Sequence, residues 1–274
     1  MKKRKRLSYA LLLFLLLLNS FACTGNTRSE NVHSQIVVFS AASLTDAMEV
    51  LITNFEADHP GVKVIVNLAG SQQLAQQLIH GAPADVFASA NQQQMDVVQS
   101  DGRINYEDQI IFAQNSLVVI YSRDSKFSIK ELVDLVEPNL KIIVAAQDVP
   151  VGRYSLDFLD RAARDATMGP EFREGVLKNI VSFEDNVKFV LTKVALGEAD
   201  AGIVYVTDVY GDGGFNVGVI NIPDHLNPVA DYPIAVLKDS KQSQLARSFI
   251  EYITSKEGRD ILSAYGFAMK INAE

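Results

Sequence analysis

A single cysteine, Cys23, occurs in 274 residues, so no intrachain disulfide can form and stability must come from packing. The four histidines, His33, His59, His80 and His225, are scattered without ligand spacing and fall in expected loops or helix ends, which leaves a bound metal cation unsupported. No nucleophile elbow, Walker loop or cysteine pair is present, and carboxylates such as Asp231 and Asp239 carry no spacing signal and read as solvated. Without a set of nucleophile, base and orienting group, an enzyme is the weaker expectation. Gly211-Asp212-Gly213-Gly214 is glycine-rich but lacks the preceding strand and following helix of a phosphate fingerprint, and reads as a surface loop.

Positive charge is concentrated at the start. Lys2, Lys3, Arg4, Lys5 and Arg6 precede an apolar run over 9–18, and small residues lead into Cys23. A basic head, an apolar run too short to span a bilayer comfortably and a small-residue exit read as a cleaved secretory signal over residues 1–22. Ala22-Cys23 resembles the end of a bacterial lipoprotein signal, whose cysteine is lipidated and becomes the first mature residue; Ser20 stands where that pattern usually has Leu. An ordinary signal peptide or an uncleaved anchor is the alternative. Lipidation at Cys23, followed by a polar tether over 23–35, would hold a soluble domain at a membrane face. With residues 1–22 removed, 20 Lys and Arg remain against 33 Asp and Glu, a formal net charge of −13. That argues against nucleic acid or anionic lipid as a partner, since both are held largely by clustered cations.

What remains is a repeated design. Gln35-Ile36-Val37-Val38-Phe39 reads as a strand, and from Leu44 the apolar positions Leu44, Ala47, Met48, Leu51, Ile52 and Phe55 share one helical face. Between them, Ser43 and Asp46 make a capping-box pattern with Ser43 as the N-cap. A turn is expected over 54–61. Val62, Val64 and Val66 then alternate as a strand, and Ala69-Gly70-Ser71 opens a helix through Leu74, Ala75, Leu78 and Ile79 that closes at Gly81. Strands are expected at 86–88, 117–121, 142–145, 202–206 and 234–237. Helices are expected at 91–100, within 124–135, after Val149-Pro150-Val151-Gly152, after the cap candidates Asp185 and Asn186, and at 243–254 and from Lys256.

Strands alternating with helices imply α/β sheets, mostly parallel, covered on both faces, with ligands at the carboxyl ends of the strands. The roughly 240 residues after the leader suit one large domain or two ordinary ones. Two units of similar pattern suggest two lobes joined by crossing segments near 112–116 and 228–235. The lobes are expected at 36–114 plus 230–274, and at 115–229. Four helix N-termini carry small or hydroxyl residues, with no Lys or Arg within the first two, and such N-termini bind anions through free N–H groups and a partial positive charge. For any one of them, a capped helix in an ordinary α/β domain explains the residues equally well.

Taken together, Phe39-Ser40-Ala41-Ala42-Ser43-Leu44-Thr45-Asp46-Ala47-Met48, Ala69-Gly70-Ser71 with Leu74-Ala75, Gly81-Ala82-Pro83-Ala84-Asp85-Val86, Asn115-Ser116-Leu117-Val118, Val149-Pro150-Val151-Gly152 and Gly202-Ile203-Val204-Tyr205 resemble the periplasmic molybdate-binding proteins of ABC transporters. The resemblance runs from about residue 35 to Phe267. It implies a two-lobed type II periplasmic-binding-protein fold and an extracytoplasmic receptor that captures molybdate, or tungstate, and passes it to a membrane permease and its ATPase. It also implies a monomer with no cofactor and no catalytic residue. By the resemblance, Ser43 and Ser71 give hydroxyl contacts, Val151 and Val187 give backbone contacts, and Tyr205 gives a hydroxyl contact. Val151 stands where relatives more often have Ala, and Gly70 and Gln72 replace the serines that flank Ser71 in some relatives. A receptor for sulfate or phosphate is the alternative within the same fold.

Overall fold

The computed structural model describes residues 34–210 and 216–269; the leader with Cys23 and the 211–214 glycine run lie outside them. The chain builds two five-stranded sheets. The first contains β1 (Ser34–Ala41), β2 (Val62–Ala69), β3 (Val86–Ala88), β4 (Ile110–Asn115) and β10 (Ala230–Val236), in the order β2-β1-β3-β10-β4. The second contains β5 (Leu117–Ser122), β6 (Ile142–Ala145), β7 (Ile180–Glu184), β8 (Ala201–Tyr205) and β9 (Val217–Asn221), in the order β7-β6-β8-β5-β9. In each sheet the pairings leave four strands running one way and one reversed, β10 in the first and β5 in the second. The reversed strand takes the same place in both.

The helices are α1 (Thr45–Asp58), α2 (Ser71–Ile79), α3 (Gln92–Ser100), α4 (Pro150–Arg164), α5 (Gly169–Asn179), α6 (Val187–Ala195), α7 (Ser243–Thr254) and α8 (Lys256–Ala264). Side-chain alternation along β1 divides the first core. Ile36 and Val38 pack with Leu51, Phe55 and Phe249, while Phe39 packs with Leu74, Leu78, Phe87 and Met95 on the opposite face. Both faces are therefore covered, as a run of parallel strands requires.

The chain passes from the first sheet to the second at Ser116, between β4 and β5, and returns between β9 and β10. Most of the expected crossing residues are in strands: β4 and β10 pair antiparallel, with Ala230 opposite Asn115 and Tyr232 opposite Ala113. Asn227 ties the two passages together, accepting from the Leu117 N–H (2.9 Å) and donating to its carbonyl (2.8 Å). The β10 register shifts between Tyr232 and Pro233, where proline has no N–H to give the ladder.

Three local expectations need correction. Ser43 is no helix cap: a single 3-10 turn spans Ala42–Leu44, the helix starts at Thr45, and no side chain caps it. The first helix also persists to Asp58, so the turn is confined to His59, Pro60 and Gly61, whose φ of 88° suits glycine. No α-helix forms over 124–135. Asp134 accepts from the Lys130 and Glu131 N–H groups, so helical structure starts only at Leu132, and Pro138 follows too soon for more than the 3-10 turn Leu132–Val136. Finally, β4, β7, β9 and α5 carry no expectation from the sequence.

Candidate functional site

A small cavity of about 20 Å3 lies where the carboxyl ends of strands from both sheets meet. From the first lobe it is lined by the turn after β1 and the start of α2. From the second it is lined by the starts of α4 and α6 and by the end of β8. All five residues singled out from the sequence, Ser43, Ser71, Val151, Val187 and Tyr205, line it and are buried. Ala90 and Asn186, not singled out as contacts, line it as well.

Each wall has a physical reason. The facing lobe comes close at Gly70, where a Cβ would sit 2.6 Å from the Asp185 carbonyl oxygen. Ser71 then opens α2, and its Oγ accepts the Ala90 N–H at 3.0 Å. No described hydrogen bond takes the Ser71 proton, which is left for the cavity. In α4, Pro150 occupies the first turn, where no N–H is needed, and the N–H groups of Val151 and Gly152 have no partner within the helix. Gly152 is required because a Cβ would run into the Ala145 and Ala146 carbonyls at the end of β6. In α6, Asn186 Oδ1 caps the Phe189 N–H at 3.1 Å, which leaves the Val187 and Lys188 N–H groups without helical partners.

Tyr205 ends β8 with its hydroxyl fully buried and without a hydrogen-bond partner among the described residues. Such a donor is costly unless something in the cavity accepts from it. Burial holds its pKa well above the ordinary value, so the hydroxyl keeps its proton. Ser43 Oγ lies 2.9 Å from the hydroxyl of Tyr232 on β10, whose ring meets that of Tyr205 edge-on at 5.9 Å.

Among the described residues, no Lys or Arg lines the cavity. Lys188, one residue beyond Val187, points its Nζ at Asp46 of the first lobe (3.0 Å) and at buried Asp208 of the second (3.4 Å). Burial works against the Lys188 charge, and the Asp208 and Asp46 carboxylates more than offset it, leaving its pKa raised. Burial pushes the Asp208 pKa up to about 6, against the pull of Lys188 and of the Tyr205 N–H. Two further hydrogen bonds join the lobes beside the cavity: Gln72 Nε2 to the Asp185 carbonyl (2.8 Å) and Gln94 Nε2 to the Asp148 carbonyl (3.1 Å). Tyr232, Lys188 and these glutamines carried no signal in the sequence, because their partners come from the other side of the fold.

The arrangement can surround a small anion with N–H and O–H donors and offers it no counter-charge.

Comparison with known proteins agrees with this geometry. The chain is 38% identical over 268 residues to the molybdate-binding protein ModA of Mycobacterium tuberculosis, covering 96% of this chain and 97% of that one. In three dimensions it matches the periplasmic molybdate-binding protein of Azotobacter vinelandii with a TM-score of 0.73 at 17% identity, covering 86% of this chain and 100% of that one. It matches the sulfate-binding protein of Mycobacterium tuberculosis with a TM-score of 0.76 at 18% identity, covering 88% of each. At those identities the two structural likenesses speak for the fold alone. The bacterial extracellular solute-binding protein family matches residues 36–268, and the chain belongs to that family.

Proposed function

We propose that this protein is the extracytoplasmic receptor of a molybdate importer, holding the oxyanion between its lobes through Ser43, Ser71 and Tyr205 hydroxyls and the Val151 and Val187 N–H groups. The observation that carries the proposal is the cavity between the lobes that brings the Ser43, Ser71 and Tyr205 hydroxyls together with the starts of α4 and α6, with no Lys or Arg among its described lining residues. One water needs ~10–15 Å3, so a space of about 20 Å3 suits a small ion. A fully deprotonated tetrahedral dianion has only acceptors and is satisfied by donors. Monohydrogen phosphate brings an O–H that would go unmet, at a cost of roughly 1–3 kcal/mol. The relative named as a molybdate-binding protein, similar over nearly its whole length, supports the choice of ion.

Tungstate is nearly the same size and should bind alongside molybdate. Sulfate is the second reading, since sulfate too is fully ionised and meets donors only with acceptors. Titration of the protein with molybdate, tungstate, sulfate and phosphate tests the proposal. Micromolar or tighter molybdate binding, with sulfate far weaker, is expected; a preference for sulfate or phosphate would overturn it.

The lobes are assigned to 36–114 with 230–274 and to 115–229, and the receptor works as a monomer with the permease and ATPase of its transporter. Cys23 carries the membrane anchor. Cys23→Ser should release the protein or block its processing, and a variant that fractionates like wild type would overturn lipid anchoring. Because contacts come from both lobes, molybdate favours the closed state, and small-angle scattering should show a more compact particle with ligand.

A further inference from the structure

Behind Ser43 lies a chain of three polar side chains whose hydrogen-bond directions can be read from their partners. Asn115, at the end of β4, is buried, and its Oδ1 accepts the Ser116 N–H at 3.0 Å. That bond fixes which end of the amide is which, so Nδ2 faces the other way and can only donate. It donates to Thr207 Oγ1 at 2.8 Å and to the Tyr232 hydroxyl at 3.3 Å. Tyr232 is fully buried in β10. Its oxygen accepts from Asn115, and the neighbouring Tyr205 hydroxyl keeps its own proton and faces Tyr232 from the donor side, which leaves Ser43 Oγ at 2.9 Å to accept the Tyr232 proton. Ser43 therefore accepts from Tyr232, and its own proton is left for the cavity that it lines.

Ser71 likewise accepts one bond, from the Ala90 N–H, which orients its hydroxyl and leaves its proton for the cavity. A serine hydroxyl is ordinarily ambivalent, able to turn and accept a proton from a ligand. We infer that Asn115 and Tyr232 are positioning residues that fix the Ser43 hydroxyl as a donor, and that this locked polarity, beyond the mere presence of a serine, makes the pocket discriminate against anions that carry a proton. The inference rests on the oxyanion-receptor reading and deepens it. Neither residue lines the cavity, so neither is a direct contact.

Two variants separate this role from simple support of the fold. Tyr232→Phe keeps the ring and removes the hydroxyl, which frees Ser43 to turn and accept. Asn115→Asp keeps the shape and the bond to the Ser116 N–H but faces Tyr232 with an acceptor, so the chain reverses and Ser43 donates to Tyr232. Wild type and both variants are titrated with molybdate, sulfate and phosphate above the second ionisation of phosphate, with phosphate read by competition where it is weak. Sulfate and monohydrogen phosphate carry the same charge, so the added carboxylate of Asn115→Asp repels both alike and their affinity ratio isolates hydroxyl polarity.

The expected result is a loss of molybdate affinity of about tenfold in Tyr232→Phe. The sulfate-to-phosphate preference should fall about tenfold in the same variant and further in Asn115→Asp. Equal losses for all three anions, or an unmoved ratio, would overturn the inference and leave the two residues as structural supports. Should Asn115→Asp melt below the assay temperature, the ratio in Tyr232→Phe decides alone. Wild-type protein that binds none of these anions would instead overturn the receptor reading, and the inference with it.

Discussion

The two lobes repeat one topology and supply different chemistry. Each has four co-directional strands and one reversed strand in the same place, and each sends helix N-termini toward the cavity. The first lobe brings side-chain hydroxyls, Ser43 beside the Tyr232 hydroxyl and Ser71 accepting from the Ala90 N–H. The second brings main-chain N–H groups at the starts of α4 and α6, together with the unpartnered Tyr205 hydroxyl. A hydroxyl can be deleted by one substitution. A main-chain donor cannot, and is lost only when the helix that carries it moves. The second lobe should therefore be broken through packing, the first through its side chains.

The largest effect is expected at Gly152. A methyl group there meets the Ala145 and Ala146 carbonyls, which are backbone and cannot swing aside, so the first turn of α4 must shift. Gly152→Ala should displace the Val151 and Gly152 N–H groups together and weaken molybdate binding on the order of a hundredfold or more. Overpacking should also cost about 1–3 kcal/mol of stability. Isothermal titration with a melting curve checks both; binding within a few fold of wild type would show that α4 holds no ligand.

Single hydroxyl deletions come next. A hydrogen bond to a charged partner contributes roughly 1.5–3 kcal/mol, so Ser43→Ala, Ser71→Ala and Tyr205→Phe should each weaken molybdate about ten- to a hundredfold. Their stabilities should differ. Tyr205→Phe removes a buried hydroxyl that has no partner and should melt at or above wild type without ligand. Ser71→Ala orphans the Ala90 N–H and should melt lower. Three variants that all bind like wild type would place the site elsewhere.

A third expectation concerns acid. The Asp208 pKa is pushed up to about 6 by burial, from an ordinary 3.8, so between those values the folded protein holds a proton that the unfolded chain has released. Stability from this group is therefore greatest below about 4 and is lost as the pH rises through about 6. Asp165, held down to about 2 first by its bonds to Thr167, acts oppositely, losing stability only as the pH falls below about 4. Asp208→Asn should thus gain on wild type in melting temperature between pH 4.5 and 7.5, by several degrees at most. Parallel curves for the two proteins would show that Asp208 titrates normally.

Much of the scaffold was legible because its signals are local. Period-two runs such as Val62, Val64 and Val66, the small residues before Ser71, the Asn186 cap and proline at the first turn of α4 are set within a few positions of one another. Ser43 was placed at the cavity by resemblance, yet its local pattern, read as a cap, misled, because its partner Tyr232 lies 189 positions away. The α5 helix carries Gly175 in its interior, packed against Val136, and shows too thin an apolar stripe to announce itself. The edge strands β4, β7 and β9 owe their form to neighbours that sequence order does not reveal. What joins the lobes was the least legible, since each contact pairs residues from distant parts of the chain.

The smallest effect is expected at one such contact. Lys188 faces Asp208 within the second lobe and Asp46 across the cleft, so opening the lobes would separate it from Asp46 and leave it with Asp208. Asp46 is more than half exposed, and exposed ion pairs contribute roughly 0.2–1 kcal/mol. That energy belongs to the closed form alone, so Asp46→Asn should weaken molybdate binding by up to about fivefold without touching any donor in the cavity. Lys188→Met would confound this by leaving Asp208 buried without its partner, which makes Asp46→Asn the cleaner change. The difference between wild type and Asp46→Asn should also shrink at high salt, since an exposed pair is screened while the buried donors are not. Equal affinities at low salt would mean that the closed state owes nothing to this bridge and is held by Gln72, Gln94 and the ligand.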